Sequence, residues 1–297
     1  MSRAAPALRK GVSTRSVQRI RAGTVTDVED SVAVEEPLEI RVAGEPLAVT
    51  MRTPGDDTSL VLGFLFAEGL IASADDVGTI APCGRTDEPG YGNVVDVTPG
   101  PGTVIDVDRL MGAKRGTLTT AACGVCGRRS IDDLVARVGI VAPGPVVDAE
   151  VVLRAPELLR AAQPGFDRTG GLHAAAALEA DGTMLAVAED VGRHNAVDKV
   201  IGQLVRARAV GGSGSAAPFG GAAPAVLVVS GRTSFEIVQK AAAAKIPIVA
   251  GVSTASSLAC ELAETSGITL CGFVRDQNMV VYARGERLTH APGPPGE

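Results

Sequence analysis

The chain has 297 residues, of which 28 are Lys or Arg and 34 are Asp or Glu, for a formal charge of −6; 45% are hydrophobic and 21% charged. That balance excludes a disordered chain and a general polyanion binder, and it predicts a globular protein of about two domains or one large one. Aromatics are only 3% of the residues and Trp is absent, which leaves little from which to build the stacking platforms of single-stranded nucleic-acid binders. No apolar run approaches the ~20 residues of a membrane span, and the first 21 residues lack a signal-peptide core. The expectation is a cytoplasmic protein with neither nucleic acid nor membrane among its partners.

Residues 1–21 carry six basic side chains, Arg3 to Arg21, before the first acid at Asp27, and read as a basic, solvated arm. Residues 22–116 read as a small strand-rich α+β domain. Within it, residues 38–53 alternate apolar and polar side chains around the turn Ala43-Gly44, the pattern of an antiparallel hairpin. A helix follows in DDTSLVLGFLFAEGL, with Asp57 or Thr58 as the cap, Leu60, Phe64 and Leu65 on one face, and Gly69 at its end. The runs NVVDV and TVIDV, separated by TPGPG, predict a second hairpin.

Residues 117–297 predict a three-layer α/β domain. A Gly-flanked Cys123-Gly124-Val125-Cys126 loop precedes a helix start at which Ser130 and Asp133 approximate a capping box. HAAAALEA, Asp181-Gly182 and TMLAVAED predict a hairpin with a type I′ turn. A helix is expected over 196–209, and a flexible loop over 211–224. From 225 onward, apolar runs alternate with amphipathic segments, which means βαβ units and a parallel sheet. The last strand, reached through only Arg275-Asp276-Gln277-Asn278, is expected to be antiparallel.

Five cysteines, Cys83, Cys123, Cys126, Cys260 and Cys271, make an odd set that argues against a disulfide framework. Arg128, Arg129 and the positive end of the following helix favour a thiolate at Cys123 and Cys126. A zinc half-site completed by another Cys or a His, and a thioredoxin-like redox pair, are the competing readings of that motif. Cys260 and Cys271 fall in apolar patterns, where a small buried thiol suffices. A zinc deaminase is disfavoured, because His173 is followed by Ala174-Ala175 with no Glu in the acid/base position.

Four polar loops follow strands and open helices or turns. Glu189 to Asn195 offers Arg193 and His194 for phosphate or nucleotide contact, the plainer alternative being a cap by Asn195. Ser230 to Ser234 sets Ser230 and Arg232 at a helix N-terminus. Val252 to Ser257 repeats that arrangement. Phe273, Val274, Arg275, Asp276, Gln277 and Asn278 form the fourth loop. Together they suggest an extended polyanionic ligand such as a dinucleotide.

Through PGDDTSLVLGFLFAEGL, CGVCG, TGGLHAAA, EDVGRHNAVDKVIG, SGRTSFEIVQKAA and PIVAGVS, residues 30–284 resemble the formate dehydrogenase accessory sulfurtransferase family (FdhD). The resemblance implies a cytidine-deaminase-like α/β/α domain without deaminase zinc. It also implies a sulfurtransferase activity: persulfide sulfur is taken from a cysteine desulfurase and passed to the Mo-bis(molybdopterin guanine dinucleotide) cofactor, or its tungsten counterpart, for formate dehydrogenase. Cys123 would be the persulfide cysteine with Cys126 beside it, Phe273 to Asn278 the cofactor-contacting segment, no metal permanently bound, and the assembly a homodimer. A cofactor chaperone without sulfur chemistry and a thiol redox enzyme stand as the alternatives.

Overall fold

The computed structural model describes residues 11–88, 90–106, 119–120, 139–208, 210–211 and 223–289. Strands β1 (Val12–Arg21) and β2 (Thr24–Ala33) form a two-stranded antiparallel ribbon. Residues 12–21, expected as an arm, are thus ordered by ten cross-strand pairs, yet most of their side chains remain exposed. β3 (Glu36–Val42) and β4 (Glu45–Arg52) form the first predicted hairpin. Its two-residue turn places Ala43 and Gly44 at φ 50° and 87°, the left-handed pair that matches strand twist in a type I′ turn.

Helix α1 (Asp57–Ala67) follows, but neither Asp57 nor Thr58 caps it. The N-cap is Asp56, in the left-handed region, whose side chain makes no capping bond and is taken instead by Gln203 and Arg206. Asp57 is taken by Arg52, which is 2% exposed and donates Nε and Nη2 to the two carboxylate oxygens at 3.0 and 3.1 Å. A buried guanidinium demands a paired anion, and that demand outranks capping. β5 (Val77–Pro82) and β6 (Val94–Pro99) pair with each other, and β6 also runs parallel to β3. This corrects the second hairpin: residues 103–106 are not strand, and β6 finds its partners in β5 and β3. β7 (Thr119–Thr120) completes a five-stranded sheet in the order β5-β6-β3-β4-β7.

Beyond it come β8 (Val147–Asp148), α2 (Ala149–Ala161), α3 (Pro164–Thr169), β9 (His173–Leu178), β10 (Met184–Asp190) and α4 (Arg193–Arg206). Then follow β11 (Val226–Val229), α5 (Phe235–Ala243), β12 (Ile248–Gly251), α6 (Ser257–Ser266), β13 (Thr269–Arg275), β14 (Asn278–Ala283) and β15 (Leu288–Thr289). A six-stranded mixed sheet has the order β10-β9-β11-β12-β13-β14; β11, β12 and β13 are parallel to one another. β14 is antiparallel to β13, as its short connection requires. The β9–β10 hairpin forms, but Asp181 is not left-handed; only Gly182 is, at φ 90°, and Glu179 N–H bonds the Thr183 carbonyl. The loop is therefore a three-residue turn with a bulged glycine rather than type I′.

Alternation along β9 sorts the layers. Ala174, Ala176 and Leu178 face Val152 and Leu159 of α2, while Ala175 and Ala177 face the core that holds α4 and α5. That second core continues through Leu60 and Leu65 of α1 to Leu38 and Ile40 of β3, so buried side chains on both sides of residue 116 share it. α1 and α4 cross at Gly63 and Gly202, where a Cβ on either glycine would fall inside the backbone of the other helix. Among the described residues no helix is long and apolar enough to cross a membrane.

Candidate functional site

The strand directions bring the polar loops to one end of the six-stranded sheet. β10, β11, β12 and β13 deliver their C-terminal ends there, and antiparallel β9 and β14 deliver their starts, His173 and Asn278. From β10 to β13 is four strand spacings, about 19 Å, a span suited to an extended ligand.

The base of the site is a buried ionic knot. Asp190 is fully buried, with Lys199 Nζ 2.7 Å from one carboxylate oxygen, which also accepts the Thr53 N–H at 3.1 Å. The other oxygen accepts Gly192 N–H at 2.8 Å and Asn195 Nδ2 at 3.0 Å. Lys199 further donates to the Thr53 carbonyl at 2.9 Å, and Asn195 donates to the Met51 carbonyl at 2.7 Å. With each charge paired and hydrogen-bonded, the burial is tolerable. The knot ties the end of β4 to the start of α4 and holds Arg193 and His194 between fixed neighbours. Asn195 is thus a bridge between the sheets; Gly192 is the N-cap of α4, without a side-chain bond.

Arg193 and His194 differ in readiness. Arg193 Nε is buried and has no hydrogen-bond partner. His194 has both ring nitrogens engaged, Nε2 3.0 Å from Ser234 Oγ and Nδ1 3.1 Å from a Glu236 oxygen. Burial first, then the cations Lys240 and Arg193, push its pKa from 6.5 down to about 3. Titration of His194 near neutrality is thus disfavoured, and both ring nitrogens already have protein partners. His173, close to Gly231, is likewise lowered by burial and by Arg193.

The other loops are stitched by backbone bonds. Thr233 N–H bonds the Thr254 carbonyl, Ser256 N–H the Thr233 carbonyl, and Phe273 N–H the Ser253 carbonyl. Ser230 Oγ accepts the Ala174 N–H at 2.9 Å, which leaves its own proton to donate. Arg232 is exposed. In the last loop Phe273 is 39% exposed at φ 51°, with Arg275 5.9 Å from its ring centroid. Asp276 and Gln277 are also left-handed, forming the tight turn into exposed Asn278. Val274 is a correction, since it is fully buried in the core beneath α2 and cannot face a ligand. Cys123 and Cys126, with the capping box after them, lie outside the described residues, as do 212–222 of the expected loop.

Sequence reading missed Thr53, Asp190 and Lys199 as one unit, and Ser234, Glu236 and Lys240 as another. No periodic signal marked them: at helical spacing Lys199 lies opposite the apolar face of Val197, Val200 and Ile201, and Asp198 lies at its margin, where charges ordinarily read as solvated.

A mixed sheet covered by helices on both faces, with arginine-bearing loops gathered at one end, defines a three-layer α/β protein with a strand-end polar site. The chain belongs to the FdhD/NarQ family, whose model matches residues 33–289. A protein from Anaeromyxobacter sp. (strain K) named sulfur carrier protein FdhD is 56% identical over 285 residues, 96% of each chain. One of the same name from Mycobacterium tuberculosis is 49% identical over 287 residues, 93% of this chain and 98% of that one. A crystal structure from Desulfotalea psychrophila, provisionally described as a formate dehydrogenase accessory protein, superposes with a TM-score of 0.68 at 23% identity, covering 94% of this chain and 99% of that one.

Proposed function

We propose that the chain is a sulfur carrier in formate dehydrogenase maturation. It accepts persulfide sulfur from a cysteine desulfurase and hands it to the molybdenum or tungsten bis(molybdopterin guanine dinucleotide) cofactor. The observation that carries this reading is the convergence of Arg193, Arg232 and Arg275 on one sheet edge in a chain whose relatives are named sulfur carriers. An uncompensated buried guanidinium nitrogen at Arg193 fits a phosphate-rich cargo.

Sulfur transfer needs a thiolate. Burial pushes the Cys271 thiol up to about 12 and raises that of Cys260, so neither is favoured as a thiolate near neutral pH. Cys123 is the proposed carrier. Its thiolate attacks the outer sulfur of the desulfurase persulfide, the donor S–S bond breaks, and the donor cysteine leaves as a thiolate, so charge and electrons balance. β7 ends three residues before Cys123 and runs parallel to β4, which leads into Thr53 at the base of the Arg193 loop. The cofactor is cargo: the three arginines pair with its phosphates, and Phe273 offers a ring face to its base.

Intact-mass measurement after incubation with a desulfurase and cysteine tests the carrier step. Wild type should gain one sulfur atom, removable by reductant, and Cys123→Ala should gain none. Equal loading of the variant would sink the assignment.

A further inference from the structure

Strands β1 and β2 form a sheet of their own. Their cross-strand pairs run from Val12 opposite Ala33 to Arg21 opposite Thr24, a length of about 30 Å, and among the described residues no third strand joins either edge. The root of this ribbon is held: Gly11 lies against the Thr53 methyl with no room for a Cβ, Val34 N–H donates to the Gly11 carbonyl at 3.0 Å, and Thr53 belongs to the knot beneath Arg193. The far end is bare. It turns at Ala22-Gly23, both left-handed, and the second pair from that turn, Ile20 with Val25, is apolar yet 68% and 54% exposed. A two-stranded hairpin is marginal in water by itself, and open edges with an apolar tip are what a protein partner covers.

Alternation sorts the charges of the ribbon between its faces. Ile20 and Val25 share theirs with Ser16, Gln18, Asp27 and Glu29, which puts two acids and no base beside the tip. The opposite face carries Arg15, Arg19 and Arg21 against one acid, Asp30, 3.6 Å from Arg19. We propose that the acidic face and the Ile20/Val25 tip dock the protein that receives the cofactor, a cofactor-free formate dehydrogenase. The inference rests on the maturation reading above and adds the surface that meets the recipient. A protein that takes up a phosphate-bearing cofactor presents cations where the phosphates enter. An acidic ribbon rooted beside the arginine-bearing loops complements that rim, and the two apolar side chains supply the anchor. The sulfur donor passes on no phosphate and needs no such rim. A second copy of this chain that packed the same face on itself across a two-fold axis would set acid against acid.

Binding kinetics of the full chain on immobilised cofactor-free formate dehydrogenase test the assignment, alongside GDP calorimetry, intact-mass loading at Cys123 and sedimentation. Ile20→Ser with Val25→Ser should speed dissociation about tenfold. Asp27→Lys with Glu29→Lys should slow association about tenfold, an effect that shrinks as salt is raised. All four side chains are exposed, so both variants should keep the fold, with GDP affinity and sulfur loading within about twofold of wild type. Unchanged binding of both variants would refute the docking role and leave the maturation reading intact. Weakening of GDP in step with the enzyme would assign the ribbon to the cargo, and a change in oligomeric state that accounts for the loss would assign it to a second copy; either overturns the proposal. A wild type without affinity for the recipient would refute the maturation reading itself and the docking role with it.

Discussion

At His194 the fold and the titration are linked. The ring is enclosed by Ser234, Glu236, Lys240, Arg193 and His173, and the two cations and burial together disfavour its charged form. With a folded pKa of about 3 against an ordinary 6.5, the native state binds fewer protons than the unfolded chain between those values. The contribution to stability is therefore complete above pH 6.5 and is lost as pH falls, with a slope of up to about 1.4 kcal/mol per pH unit for one site. Denaturant unfolding of wild type and His194→Gln at several pH values between 6 and 4 should show the variant losing less stability on acidification, by that one-proton slope. Parallel pH profiles would mean that His194 protonates as freely in the fold as outside it.

Among the elements, α1 and α4 carry the firmest packing constraint. Their crossing brings Gly63 against the backbone of Asp198 and Gly202 against that of Ser59. Neither helix can back away, because α1 is packed on β3 through Leu38 and Ile40, while Val197 and Ile201 of α4 lie in the same core. Gly202→Ala should cost at least about 3 kcal/mol, the upper range for overpacking, because the added methyl meets main chain rather than a side chain that can rotate. Gly44→Ala, at φ 87° in open space, meets only backbone strain and should cost about 1 kcal/mol. Chemical denaturation of the two variants separates these outcomes; similar losses would show that the helix crossing has slack.

For the molecule as a whole, the proposed sulfur loading and cargo binding belong to different groups. Arg232 is exposed at the opening of α5 and, unlike Arg52, takes no part in the described ion pairs. Its replacement by Ala should leave the fold intact, weaken GDP by about ten- to a hundredfold through loss of a charge-assisted phosphate contact, and leave persulfide loading at Cys123 unchanged. The loss should shrink as salt is raised, since exposed charges are screened. Calorimetry paired with intact mass on the same preparation reads both. Loss of loading together with binding would show that Arg232 supports the fold instead of the ligand.

What the sequence by itself determined is whatever local periodicity records. The alternation of apolar runs with amphipathic segments from 225 onward predicts β11, α5, β12, α6, β13 and β14, and the loops after these strands are legible as polar helix openings. Ala43-Gly44 declares its turn because left-handed backbone suits few residues. Tertiary structure alone decided the partners. β6 pairs with β5 and β3 rather than with the next apolar run, since strand pairing depends on which edges packing leaves open. Asp190 meets the Thr53 amide across 137 positions, and His194 meets Ser234 across 40. A hydrogen bond between such distant residues leaves no periodic trace. Its strength comes from burial, and burial exists only once the two sheets and α1 have closed on one another.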